Sequence, residues 1–173
     1  PPTYNDMVSR GLINSTGQIV NGNYILIGMG DYDQASWTLY RLAGVGGYYD
    51  DSARGQVNCS WGVNPNAIDR ASVAMDYMYR HKSPKDYFIG WDSGAGYIFP
   101  GQLYGARYPS GYPSAVSMWQ EHCKHYYRLM DYSITGFMLM RLGTPGSMPF
   151  TTTDCVNYAP FSGDGMGVTS PLD

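Results

Sequence analysis

The stretch YFIGWDSGAGYIFP, residues 87–100, decides how this chain is read. Tyr87, Phe88 and Ile89 are strand formers that run through Trp91 directly into Asp92 and Ser93. Gly94 and Gly96 then bracket Ala95, and Tyr97, Phe99 and Pro100 follow. A strand that ends in a carboxylate and opens into a glycine- and aromatic-rich loop is how an α/β scaffold builds a pocket. The glycines let the backbone turn sharply and approach a ligand closely. The aromatic faces offer flat apolar surface suited to sugar rings.

Outward from this stretch the same arrangement recurs. Residues 23–30 (NYILIGMG) are a continuous apolar run of the kind buried on both faces of a parallel sheet, and they stop at Asp31-Tyr32-Asp33. Residues 34–42 have helical spacing, with Ala35, Leu39 and Leu42 on one side. Residues 57–63 (VNCSWGV) read as a second strand ending at Asn64-Pro65-Asn66, and residues 68–81 as an amphipathic helix with Ile68, Ala71, Met75 and Met78 along one stripe. After the third strand, residues 87–91, Pro113 introduces the strongest helical pattern, residues 114–130, where Val116, Trp119, Cys123, Tyr126 and Met130 recur at three- and four-residue spacing. Residues 133–140 (SITGFMLM) predict a fourth strand and residues 155–161 a short fifth.

Strand, loop and helix in repeated succession predict a parallel α/β architecture with its ligands at the carboxyl ends of the strands. Asp31 and Asp33 follow the first strand, Asp92 the third, and Asp164 the expected fifth. A closed eight-stranded barrel takes about 250 residues. The 173 residues here therefore predict a single (β/α) barrel-like domain that is an incomplete barrel, part of a longer protein.

Composition narrows the function. A net charge of −3 with only 14% charged residues leaves no basic stripe to neutralise phosphates, which argues against nucleic acid. No run approaches the roughly 18 apolar residues of a membrane span. Seventeen tyrosines, 4 tryptophans and 22 glycines fit carbohydrate-active proteins and also loop-rich structural modules. Three cysteines (Cys59, Cys123, Cys155) leave at least one thiol without a partner inside the chain. Pro1-Pro2, with neither methionine nor leader ahead of it, reads as a processed or trimmed start. Asn14-Ser15-Thr16 matches a glycosylation acceptor and is expected in a loop.

At residues 94–100 the sequence Gly94-Ala95-Gly96-Tyr97-Ile98-Phe99-Pro100 resembles the signature of the glycoside hydrolase family named for its GxGYxYP motif, with Phe99 in place of the second tyrosine. Three further segments resemble that family in order: GDYDQASW (residues 30–37), ARGQVNCSWGVNPN (residues 53–66) and DYSITGFML (residues 131–139). Asp50-Asp51-Ser52 departs from the family's Asp-Pro at that place. The resemblance spans residues 23–165 and implies a secreted, barrel-like α/β domain acting on an oligo- or polysaccharide.

Glycoside hydrolysis generally takes two carboxyl groups, one protonating the leaving oxygen and one acting as nucleophile or base. Asp33 and Asp92 are the expected pair, with Asp31 as their modulator; residues two apart on a strand face one side, so Asp31 would crowd Asp33. Asp31 and Asp33 could equally cap the helix that follows, and Asp92 could simply brace its own loop. Trp61, Trp91 and Tyr97 are expected as sugar platforms, Asn64 as a donor to hydroxyls, and Gly94, Gly96 and Phe99 as pocket wall. Trp37 and Trp119, in helical stripes, are expected in the core. No cofactor or metal is expected: Asp31 and Asp33 are too few for calcium, and His122 and His125 lack the further ligands zinc needs. The glycines at residues 44–47 lack the Lys-Ser/Thr ending of a phosphate cradle. Two alternatives stay open, a carbohydrate-binding module without chemistry and a structural module that self-associates, or joins the missing part of its domain, through Tyr/Gly-rich loops and uncovered strand edges.

Overall fold

The computed structural model describes residues 3–30, 35–96, 98, 100–103, 111–138 and 151–168. In chain order its elements are α1 (Tyr4–Ser9), β1 (Gly28–Met29), α2 (Ala35–Trp37) continued by a π-helical turn (Thr38–Leu42), and β2 (Cys59–Val63). Then come α3 (Ala67–Arg70), α4 (Ser72–Arg80), β3 (Asp86–Gly90), α5 (Val116–Met130), β4 (Ile134–Met138), α6 (Thr152–Tyr158) and β5 (Gly165–Val168). The five strands pair in the order β1-β2-β3-β4-β5, every pair parallel, and curl into a half-barrel with helices, the α/β partial barrel expected. Consecutive strands that are both neighbours and parallel need crossovers of one hand, and these put the helices on one face of the sheet.

Strand alternation sorts the side chains between the two faces. On the helix side, Trp61 of β2 meets Tyr49 edge to face at 5.2 Å, and Phe88 of β3 stacks on the same tyrosine at 6.2 Å. Met75 and Met78 of α4, and Trp119, Cys123, Tyr127 and Met130 of α5, belong to the same core cluster. The buried positions of α5 recur every three or four residues, so its amphipathic pattern does what the sequence predicts, with Tyr127 rather than Tyr126 turned fully inward. Asp131 ends this helix in the left-handed conformation.

Four sequence expectations are corrected. Residues 23–30 are not a strand buried on both faces: only Gly28–Met29 pairs, and Ile25 and Leu26 are 89% and 84% exposed. β1 is the edge of the sheet, bonded to β2 alone, so among the described residues no strand pairs with its outer side. The expected helix over residues 68–81 is broken at Ala71, whose φ of −140° lies outside the helical range. Residues 155–161 are not a strand either. Thr151 and Asp154 form a capping box that starts α6, and the fifth strand comes later, so Asp164 precedes β5 and sits at its amino end. Trp37 is 46% exposed rather than core, whereas Trp119 is buried as expected. Asn14 lies in an exposed turn, where its Oδ1 accepts from the Thr16 and Gln18 backbone N–H groups.

Candidate functional site at the strand ends

Trp91 is the first residue past β3 and continues the inward-facing register of Ile89. Its indole lodges in a notch made by three glycines on three other strands or strand ends. A Cβ built on Gly30 would stand 2.0 Å from Cζ2 of Trp91, one on Gly62 2.2 Å from Cε3, and one on Gly136 2.5 Å from Cζ3. Each of these is closer than real Cβ atoms approach, so a side chain at any of the three would displace the ring. β1, β2 and β4 thus each leave out a side chain so that the β3 tryptophan can lie across the concave face while remaining partly exposed.

The chain then turns through an unusual conformation. Asp92 and Ser93 both have positive φ, 59° and 62°, and Gly94 follows at 111°. Two successive non-glycine residues in this region cost roughly 1 kcal/mol or more each. Asp92 is 1% exposed, and Nδ2 of Asn64, the residue after β2, donates to its Oδ2 at 3.4 Å. Oδ1 of Asn64 accepts from the Asn66 N–H at 3.2 Å, so one amide both shapes its turn and braces the carboxylate. Gly94 packs so tightly that a Cβ there would reach 2.7 Å from Sγ of Cys123. That thiol accepts from the Ala95 N–H at 3.3 Å, and burial pushes it up to about 12, so it acts as packing and acceptor rather than nucleophile.

Below this loop a row of hydroxyls closes the helix side of the sheet. Ser162 Oγ donates to the Gly165 carbonyl at 2.6 Å and accepts from Thr135 Oγ1 at 2.9 Å. With the Thr135 proton so used, the Tyr127 hydroxyl must be the donor in its 2.7 Å bond to Thr135. Burial holds the Tyr127 phenol well above its ordinary range, with the nearby Asp92 carboxylate adding to it, so it stays protonated in this role. Gly90 makes the approach possible, since a Cβ there would lie 2.0 Å from the phenol oxygen.

The structure therefore brings Asn64, Trp91, Asp92, Gly94 and Gly96 together at the carboxyl ends of β2 and β3. Asp31, Asp33, Tyr97 and Phe99 lie outside the described residues. Trp61 is not among this group: it is mid-strand on the helix side and 4% exposed. Its Nε1–H donates to Asp86 Oδ1 at 2.9 Å. The opposite end of β3 holds a second carboxylate, Asp86, that no strand-end motif marks in the sequence. Asp86 accepts from Arg54 Nη1 at 2.6 Å and from the Ser83 N–H at 2.7 Å, and the Arg54 guanidinium lies 4.2 Å over the Tyr49 ring. The ARG triplet at residues 53–55 thus has a folding role at the amino end. Gly62 and Gly136, glycines inside strands, were the legible signal for a close approach. Among the described residues no three His, Cys, Asp or Glu side chains gather as a metal site requires.

A search among curated proteins finds no match. A solved crystal structure of a putative hydrolase from Bacteroides thetaiotaomicron VPI-5482 superposes with a TM-score of 0.66 at 22% sequence identity, which shows a shared fold. The match covers 94% of this chain and 30% of that one, so the chain spans less than a third of that structure's length. The sequence model of the family described as "GxGYxYP putative glycoside hydrolase C-terminal domain" matches residues 21–159, and the chain belongs to that family.

Proposed function

We propose that this domain forms part of a secreted glycoside hydrolase, its site built around Trp91 and Asp92 with Asp33 as the second carboxylate and Asp31 as modulator. The carrying observation is the glycine notch. Three strands omit a side chain to seat one partly exposed indole beside a carboxylate held in a strained turn, at the end of the sheet where α/β folds bind ligands. In this reading a pyranose stacks its C–H face on Trp91, Tyr97 and Phe99 continue the wall, and one aspartate protonates the glycosidic oxygen while the other serves as nucleophile or base. Asn64, itself buried, positions Asp92 rather than touching sugar. The chemistry needs two carboxyl groups and water and calls on no cofactor.

A second reading is favoured by the depth of Asp92. A carboxylate almost wholly covered and already bonded to Asn64 suits a brace, leaving Trp91 as the platform of a binding module without chemistry. Incubating the protein with a panel of oligosaccharides and 4-nitrophenyl glycosides separates the two. Released sugar detected by mass spectrometry supports the hydrolase; retention of intact oligosaccharide with no product supports the binding module.

A further inference from the structure

We propose that His122 is the positioning residue of the signature loop, fixing Ala95 so that Trp91 and Asp92 meet substrate in one geometry; this rests on the reading of that site as a carbohydrate site. Nε2 of His122 lies 2.9 Å from the Ala95 carbonyl oxygen. A carbonyl only accepts, so Nε2 carries the proton and donates, in the neutral tautomer and in the cation alike. The next residue on α5, Cys123, takes the Ala95 N–H. Both polar backbone groups of Ala95 therefore end on adjacent residues of one helix. The loop needs such anchors, because Asp92, Ser93, Gly94 and Gly96 all have positive φ.

The anchor is itself anchored. The His122 ring stands edge-on to Tyr126 at 4.9 Å, and the Tyr126 hydroxyl donates to Asp69 Oδ2 at 2.6 Å. Asp69 lies on α3, the helix that follows the Asn64–Asn66 turn. The series Asp69, Tyr126, His122, Ala95 thus ties the loop after β2 to the loop after β3, the two that carry Asn64 and Asp92. Asn66 completes the seam, with Nδ2 3.9 Å from where a Cβ on Gly96 would be.

Gln and Glu at this position are matched in size and differ in the N–H donor. In His122→Gln, hydrogen–deuterium exchange at Ala95 and Gly96 in the ligand-free protein stays at the wild-type rate. In His122→Glu it rises about three- to tenfold, the range set by loss of one hydrogen bond, while α5 keeps its protection. On the 4-nitrophenyl glycoside panel His122→Glu lowers kcat by a similar factor with KM little changed, and His122→Gln restores kcat. Wild-type exchange in His122→Glu, or equal loss in both variants, overturns the assignment. Because exchange is read without ligand, failure of the clamp and failure of the carbohydrate reading give separate results.

Discussion

Gly62 shows how much a single missing Cβ decides. Alanine there would drive its methyl into the Trp91 indole, so Gly62→Ala should cost about 1–3 kcal/mol in urea denaturation and shift the tryptophan emission. Gly22→Ala, where a Cβ meets nothing within 4 Å, is the control and should leave both unchanged. A glycine inside an apolar strand is legible as a place of close approach. What fills the space was not legible, because the filler comes from a different strand and only the parallel register brings Trp91 over Gly62. The same limit explains Trp61 and Trp91. One residue's difference in strand phase puts the first among the helices and the second over the concave face.

At the level of the element, β3 begins on one carboxylate, Asp86, and a second, Asp92, lies two residues past its end. Burial by itself raises the Asp86 carboxyl, but hydrogen bonds from Ser83, Trp61 and Arg54 outweigh it and hold the group below its ordinary range. A carboxyl depressed in the folded state stabilises the fold fully above its unfolded value, about 3.9, and loses that contribution as pH falls through the lower folded value. Wild-type stability in urea should therefore decline as pH is lowered below about 4, and Asp86→Asn should show a shallower decline. At neutral pH the same substitution, by leaving Arg54 with an uncompensated charge in a largely covered site, should cost about 3–5 kcal/mol. Patterned elements such as α5 and β2 were readable from spacing. In α6 the pattern of Cys155, Val156, Tyr158 and Phe161 looks like a short apolar strand, whereas the Thr151–Asp154 capping box immediately ahead settles the backbone as helix.

For the molecule as a whole, the fold class was legible because each strand, loop and helix repeat is local, and the order of such units sets a parallel sheet. The extent of the sheet was not, since a half-barrel exposes what a larger sheet would cover. Ile25 and Leu26 beside β1 are such surface, in keeping with a chain that spans 30% of the structure it superposes on. The isolated chain is expected to self-associate through this edge. Ile25→Lys with Leu26→Lys should lower its sedimentation coefficient at high concentration while changing stability by about 0.5 kcal/mol or less.

Whether the proposed strand-end site cleaves sugars is decided by the rate of sugar release from the glycoside panel in wild type, Asp33→Asn and Asp92→Asn side by side. Loss of about 100-fold or more in each variant, with melting temperature retained, is the result expected of acid/base and nucleophile roles. Release by wild type and both variants at the same rate would contradict them.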